Sequence, residues 1–454
     1  MVEALGAGAL RWTCDPRKLP FESTEQVEPI TDVIGQEDAL KALRFGLESY
    51  APGQNIFVRG LLGTGRMTMI KRLLREIRPA CAGAGDRCYV HNFGEPHRPR
   101  LLTLPRGTAR DFRDRVEQLA DFIRDELPGA LQSEPSRARR KALERRTEQE
   151  LEELTKPFER ALEQAGLALV SVTAGAVPAA MLFPVVEGKP VPPEEFEELH
   201  GRGQVSDAQL EDYQQKVEVH RDQMDRVTME VLKVRRRHQE RLGTLVGEET
   251  RAILASFVRD IAEDFPGEDV GRFLNDVVED AVKHRGGPAA PGGDFTQLYR
   301  VNVVRESEAD APCPIIIENA PTLTNLLGLV DRQPGPQGQL YADHSTIRTG
   351  SLLRADGGYL ILEARDVLGE PGAWKVLQRT RRTGLLEIVP PELNLPWWGQ
   401  ALKPDPIRIS VKVVLLGSVQ LYHLLDAYDP HFPHLFKVLA DFDNVIPRDD
   451  KGLA

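Results

Sequence analysis

One stretch decides the fold of this chain: Asn55-Ile-Phe-Val-Arg59, followed by Gly60-Leu-Leu-Gly63-Thr64-Gly65-Arg66-Met67-Thr68. The first five residues are apolar at their centre and predict a short buried strand. The second part brings three glycines together in a loop. Beyond the loop, apolar residues recur at three- and four-residue steps and predict an amphipathic helix: Met69, Ile70, Leu73, Leu74 and Ile77. The stretch therefore predicts a strand, a glycine loop and a helix in immediate succession.

The glycine loop is close to the phosphate-binding pattern GxxxxGK[ST], with Gly60 and Gly65 in place. In such a loop, backbone N–H groups surround phosphate oxygens, the lysine reaches the β- and γ-phosphates, and the hydroxyl ligates Mg²⁺. Here Arg66 stands at the lysine position and Met67 at the hydroxyl position. Arginine keeps the charge in a larger planar group, and a thioether does not ligate Mg²⁺. Thr68 comes one residue late, about 100° further round the helix.

A loop of this kind would take ATP and Mg²⁺ as cofactors, and the altered positions favour impaired hydrolysis. An ordinary glycine turn is the alternative interpretation of the loop, and a working site with tolerated substitutes is the alternative for its chemistry. The candidate nucleotide-binding residues are Gly60, Gly63, Thr64, Gly65, Arg66, Met67 and Thr68.

The bulk composition sets the class of protein. The chain has 454 residues, more than one ordinary core holds, so two or three domains are expected. Hydrophobic residues make up 41% and charged residues 28%, which is typical of a globular protein. The net charge of −11 argues against nucleic acid as a partner, because a phosphate backbone would repel it. The chain has no signal peptide pattern and no apolar run of membrane-spanning length, which predicts a cytoplasmic protein without a membrane partner.

The four cysteines are Cys14, Cys81, Cys88 and Cys313. They form no CxxC pair and have no histidine at zinc-finger spacing, so no metal site is expected. The pattern predicts free thiols in a reducing compartment.

The chain divides into three zones. Residues 1–105 hold the strand, loop and helix described above. Residues 106–297 are rich in Arg and Glu with long helical periodicity, which predicts two solvated helical arms, one over about 107–165 and one over about 206–247. A small β-hairpin cap is expected near 167–191, two further helices near 248–263 and 268–284, and a Gly/Pro joint at 286–293. Residues 298–454 return to alternating strands and helices.

Three dense apolar runs mark the last zone: Pro314–Glu318, Gly358–Glu363 and Val411–Gly417. Runs that are apolar at nearly every position suit parallel strands covered on both faces. The sequence therefore predicts one α/β domain, a P-loop-type parallel sheet, interrupted by a large antiparallel helical arm.

Several strings, in this order, resemble the AAA+ module of bacterial Lon-like proteases of the B and C types, which carry a long helical insertion. The resemblance covers both α/β zones, and the insertion agrees in position. The strings are Val33–Glu37, Asn55–Gly60, Tyr89–Phe93, Pro99–Pro105, Pro321–Gly328, Gly350–Leu362 and Leu439–Asp443.

The resemblance implies a second acidic motif after Gly-Gly and a strand, in which Asp supports Mg²⁺ and Glu polarises the attacking water. Aligned on Gly357-Gly358, the Asp position holds Glu363 and the Glu position holds Ala364. The polar sensor at the end of the next strand falls near Ser418. No clear counterpart of the arginine finger is present, and Lys437 is the nearest basic residue. These departures agree with a degenerate ATPase.

The resemblance also implies unfolded protein substrates, a role in protein quality control, and a homo-oligomer, a hexameric ring, in the full-length protein. The family's proteolytic domain carries a Ser-Lys dyad, and no segment of this chain matches it. We therefore expect a chain that ends before the proteolytic domain and the small helical lid, without catalytic residues for peptide cleavage.

Three functions remain open at this point. The first is a Lon-like module that recognises, unfolds or gates protein substrates with a degenerate nucleotide site. The second is an active ATP-dependent unfoldase, and the third is a non-enzymatic ring scaffold or adaptor. The insertion is either a structural coiled coil or a substrate tether whose cap exposes an apolar tip formed by Val170, Val177, Met181, Leu182, Phe183 and Val185, which otherwise form the hairpin's own core.

Overall fold

A computed structural model describes residues 35–49, 51, 53–61, 65–77, 84–174, 177–186, 188–285, 295–309, 311–334, 340–388 and 402–445, with a few positions before residue 28. The predicted joint at 286–293 and the loop residues Gly63 and Thr64 lie outside this part of the chain.

The elements follow in chain order. The first part contains α1 (Glu37–Glu48), β1 (Ile56–Arg59), α2 (Arg66–Ile77), β2 (Asp86–Val90) and β3 (Arg100–Leu104). The helical part contains α3 (Ala109–Asp121), a π-helical turn (Phe122–Glu126), α4 (Leu127–Ala130), α5 (Glu134–Gln164), β4 (Leu167–Ala174), β5 (Val177–Val186), β6 (Lys189–Pro190), α6 (Pro193–Gly201), α7 (Asp207–Asp264) and α8 (Glu268–Arg285). The last part contains β7 (Asn302–Arg305), β8 (Ile315–Glu318), α9 (Leu323–Leu327), β9 (Gly328–Val330), β10 (Gln333–Pro334), β11 (Leu340–Tyr341), β12 (Ile347–Thr349), α10 (Ser351–Arg354), β13 (Tyr359–Glu363), α11 (Ala364–Gly369), α12 (Ala373–Thr383), β14 (Leu385–Leu386), β15 (Ile407–Arg408), β16 (Lys412–Gly417), α13 (Val419–Tyr428), α14 (Phe432–Leu435) and β17 (Val438–Asp441).

The main sheet has five parallel strands in the order β17-β1-β16-β13-β8. The predicted strand before the glycine loop is β1, and the three apolar runs are β8, β13 and β16. The strands of this sheet come from both ends of the chain, so an insertion lies between α2, which packs on the sheet, and β8. The predicted α/β sheet with a helical insertion is confirmed.

The apolar runs arise because helices cover both faces of the main sheet. Along β1, Phe57 packs with one core cluster, while Ile56 and Val58 pack with another. The first cluster is closed by α9 to α14, and the second by α1 and α2. Successive side chains of a strand point to opposite faces, so a strand that is buried on both sides is apolar at every position.

A second sheet stands outside the main one. Its antiparallel order is β3-β2-β7. Most of its buried side chains share a core with α3, α7 and α8, whereas Tyr89 and Val304 belong to a core cluster of the main sheet. The sequence placed residues 86–104 with the nucleotide-binding half of the chain, whereas their strands pair with each other and with β7. Alternating apolar residues predict a strand but not its partners. We propose boundaries for the inserted unit near residues 85 and 306.

The helical arms pair antiparallel. Thr147 Oγ1 lies 2.9 Å from His238 Nδ1, and Arg241 donates to Glu150 at 3.2 Å. The second arm and the helix expected near 248–263 are one continuous helix of 58 residues, α7. Its N-terminus is closed by a capping box in which Ser206 pairs with Gln209. Because α7 is this long, its first part forms the second arm and its last part packs in the core with α3 and α8.

The cap at the far end of the arms is the predicted hairpin, a three-stranded sheet in the order β4-β5-β6. Leu182 is buried together with Phe158, Leu162 and Leu167. The proposed tip residues divide: Leu182 and Phe183 are buried, whereas Met181 and Val185 are exposed. The side chain of Val177 lies outside the described residues.

The structure agrees only in part with the prediction that the cysteines are free thiols. Cys88 is free and buried, but Cys313 is disulfide-bonded. The expectation of free thiols was therefore wrong for Cys313, because disulfide pairing depends on proximity in space, which spacing along the chain does not reveal. In the part of the chain that the structure describes, no helix is long and apolar enough to cross a membrane.

Candidate nucleotide site

The candidate site lies where β1, β16 and β13 end. Parallel pairing places Arg59 beside Gly417 and Glu363 beside Leu416. The glycine loop, the altered acidic motif and the sensor position therefore all follow the carboxyl ends of neighbouring strands. Ligands of open parallel sheets bind at the carboxyl ends of the strands. The fold therefore brings the described candidate positions to the carboxyl ends of the strands, where a nucleotide would bind.

Arg66 is turned into the protein. It is the first residue of α2 and is buried, with 6% of its surface exposed. Its Nη1 donates to the carbonyl oxygen of Gly417 at 2.7 Å, and its charge opposes the rise that burial causes in the pKa of Glu363. The cation at the lysine position thus has its hydrogen-bond partner at the end of β16 and interacts electrostatically with a carboxylate at the end of β13.

The next two positions of the loop pattern point away from this contact. Met67 packs against the core cluster beneath α2. Thr68 is exposed and lies on the outer face of the helix beside Lys71, Arg72 and Arg75. The one-residue delay read from the sequence therefore has a structural consequence, because the helical turn takes the hydroxyl to solvent.

The altered acidic motif ends β13 and begins α11. Glu363 is half-buried, and burial raises the pKa of its carboxyl, with Arg66 opposing that shift and Asp366 adding to it. Ala364 is fully buried in the core cluster. A side chain that is closed into the core cannot orient a water molecule at the site.

The sensor position is a turn between β16 and α13. Ser418 Oγ accepts a hydrogen bond from the N–H of Leu421 at 3.2 Å, as the N-cap of α13. Gly417 accepts from Arg66, and a Cβ at this position would lie 2.6 Å from Cζ of Phe57. Only glycine fits between Phe57 and the Arg66 contact.

Sequence reasoning missed a second basic residue at this edge. Arg59 ends β1, pairs with Asp441 at 2.5 Å and lies over the ring of Tyr422, 5.2 Å from its centroid. The pairing joins β1 to the edge strand β17. The arginine immediately before Gly60 was the only available signal, and it becomes informative only when β17 is known to lie beside β1.

The described residues do not fit Mg²⁺. The hydroxyl position is occupied by Met67, Thr68 faces solvent, and Arg66 occupies the carbonyl of Gly417. Among the residues that the structure describes, no group of three or more His, Cys, Asp or Glu side chains could hold a metal ion. Gly63 and Thr64 belong to the loop but lie outside those residues.

Two family models match separate parts of the chain. Residues 311–443, which contain four strands of the main sheet, match the model described as "LonB-like, AAA domain". Residues 86–119, which contain β2, β3 and most of α3, match the model described as "Lon-like LonC helical domain". The chain carries a Lon-like AAA+ module. The LonC-type match begins at β2, as the second sheet does.

Other comparisons add little to the Lon-like assignment. No curated protein matches the chain. Among solved structures, the crystal structure of NtrX from Brucella abortus is similar over 37% of this chain and 30% of that chain, with 15% identity and a TM-score of 0.20. The match spans about a third of the length of NtrX, and a likeness of this size supports no inference about function.

Proposed function

We propose that this Lon-like AAA+ module handles protein substrates for a proteolytic machine without hydrolysing ATP. In this proposal, Arg66 stabilises the fold at the nucleotide site instead of binding ATP, while the helical arm and its cap contact unfolded chains. Assembly as a homo-oligomeric ring is part of the same proposal and rests on the family alone.

The observation that carries the proposal is the direction of Arg66. In a working phosphate loop, the basic residue faces the β- and γ-phosphates. Here the guanidinium is buried and donates to Gly417. To bind a phosphate it would have to leave a charge-assisted hydrogen bond that stabilises the fold by about 1.5–3 kcal/mol. Ala364 is the second observation that supports the proposal, because an alanine has no carboxylate that could polarise water.

We expect the wild-type protein to bind no ATP in a Mg²⁺-dependent manner at micromolar concentrations and to release no phosphate above background. Isothermal titration with and without Mg²⁺, together with a phosphate-release assay, measures both. The matched control is the double variant Arg66→Lys, Met67→Thr, which restores the loop chemistry. It should gain Mg²⁺-dependent binding but not turnover, because Ala364 is unchanged.

Two outcomes would contradict this account of the site. Micromolar Mg²⁺-dependent binding with turnover by the wild type would favour an active unfoldase. A double variant that binds no better than the wild type would mean that these two positions are not the cause of the loss.

Contact with unfolded chains is assigned to the cap. Its strands β4 and β5 expose Leu169, Met181 and Val185, and exposed apolar side chains on a sheet suit extended polypeptides. The arms hold the cap away from the main sheet, since α5 alone has 31 residues, about 46 Å of helix at 1.5 Å per residue.

We expect a triple variant with serine at Leu169, Met181 and Val185 to bind a fluorescently labelled, permanently unfolded polypeptide at least tenfold more weakly than the wild type. Fluorescence anisotropy, with and without ATP, measures the affinity. The control variant is Val219→Ser, which removes an exposed apolar side chain from α7 and should bind as the wild type does. Equal affinities for the triple variant and the wild type would exclude the cap as the contact.

A further inference from the structure

A cavity of about 370 Å³ lies at the amino ends of the strands of the main sheet, opposite the carboxyl ends that form the candidate nucleotide site. Its walls are the start of β13 and β16, the end of α12 and the turn before β1. Among the described residues that line it, the charged ones are three cations, Arg381, Arg382 and Lys412, and none is a carboxylate. This size lies within the range of small-molecule sites in proteins.

The two inner cations of this cavity differ in how they are satisfied. Lys412 Nζ donates to the carbonyl oxygens of Gly46, Leu47 and Ser49, so it caps the C-terminus of α1. Arg381 is largely buried, and its Nε has no hydrogen-bond partner. Its neighbour Arg379, by contrast, has Glu387 at 3.4 Å.

Burial dominates the electrostatics of the two inner cations of the cavity. Burial lowers the pKa of Arg381 to about 10. Burial, with repulsion from Arg381, lowers the pKa of Lys412 to about 8. Among the described residues, Asp356 is the nearest carboxylate in sequence to the cavity wall, and its oxygens face Arg87 and the N–H of Ser410. A buried charge normally has an opposite charge beside it, and none of the described residues that line the cavity supplies one for Arg381.

We propose that this cavity is a binding site for a small phosphate-class oxyanion, held by the Arg381 guanidinium with Arg382 at its rim. A guanidinium offers parallel donors that match two oxygens of a phosphate. The bound anion supplies the missing negative charge, and the remaining volume accommodates a small organic group attached to the phosphate. The proposal is independent of the proposed function, since the cavity shares no lining residue with the nucleotide edge.

Thermal unfolding in inorganic phosphate tests the site. The melting temperature of the wild type should rise with the logarithm of the phosphate concentration, compared with chloride and acetate at equal ionic strength. Arg381→Gln should abolish this rise, while the control Arg379→Gln should keep it. A specific rise that persists in Arg381→Gln, or no difference between phosphate and chloride in the wild type, would overturn the proposal. A rise with acetate equal to that with phosphate would overturn the assignment to the phosphate class.

A second measurement needs no variant. NMR titration of the lysine side chains should show one ammonium group with a pKa of about 8 in chloride, and phosphate should raise that pKa. An anion beside Arg381 offsets the repulsion that Lys412 experiences. An unchanged pKa at phosphate concentrations that raise the melting temperature would place the bound anion elsewhere.

Discussion

Replacing Arg305 with methionine is expected to lower the free energy of unfolding by about 3–5 kcal/mol, the range for removing one partner of a buried charged group. Arg305 ends β7 and is buried. Its guanidinium donates to the carbonyl oxygens of Ala84, Gly85 and Asp356, at 3.0, 2.9 and 2.7 Å. One side chain thus joins the second sheet to the loop before β13. Methionine fills the volume but leaves three carbonyls and the Asp356 carboxylate without this cation.

Chemical denaturation monitored by circular dichroism and by tryptophan fluorescence measures the loss. Burial lowers the pKa of Arg305, and Asp356 opposes that shift. The control is Arg110→Met, which removes an exposed arginine paired with Glu306 at 3.2 Å and should change stability by about 0.5 kcal/mol or less. If both variants unfold alike, the junction does not depend on Arg305.

Replacing Arg66 with methionine is expected to destabilise the protein by about 1.5–3 kcal/mol at pH 7, the range for a lost hydrogen bond from a charged group. The Gly417 carbonyl loses its donor, and Glu363 loses the cation that lowers its pKa. A nucleotide-binding arginine that faced solvent would show no such loss. The size of the loss in stability therefore distinguishes an arginine that stabilises the fold from one that lines an empty nucleotide-binding loop.

The same variant should show a characteristic pH dependence. A carboxyl whose pKa is higher in the folded state binds more protons folded than unfolded, so its contribution to stability is present at low pH and is lost as pH rises through the folded pKa. Without Arg66, the pKa of Glu363 rises further. The penalty of Arg66→Met should thus be smaller at pH 5 than at pH 7. Thr68→Ala, on the exposed face of α2, is the control and should be neutral at both values. A penalty that is independent of pH would exclude coupling between Arg66 and Glu363.

The strand, loop and helix around Gly60 were predictable because their signals are local. Apolar side chains at residues 56–58 and at three- and four-residue steps after Gly65 determine β1 and α2 wherever the chain is placed. The apolar runs that became β8, β13 and β16 were predictable for a similar reason, since only a strand covered on both faces is apolar throughout. The altered loop residues could be identified by position alone.

What the altered residues do could not be predicted. Arg66 could have faced a phosphate, solvent or the protein, and 351 residues separate it from its acceptor Gly417. The partners of a strand were equally hidden, because the pairing of β2 with β3 and β7 depends on long-range contacts. The disulfide of Cys313 is hidden for the same reason.

Local sequence therefore predicts the strand–loop–helix stretch, the α/β class, the inserted helical arm and the altered residues of the loop, because each depends on residues that lie close together along the chain. The three-dimensional fold is needed to see that Arg66 donates to the end of β16, that Arg305 links the second sheet to the loop before β13, and that no described residue lining the cavity of Arg381 is a carboxylate. These are properties of charges meeting across hundreds of residues, and their partners are set by folding rather than by spacing.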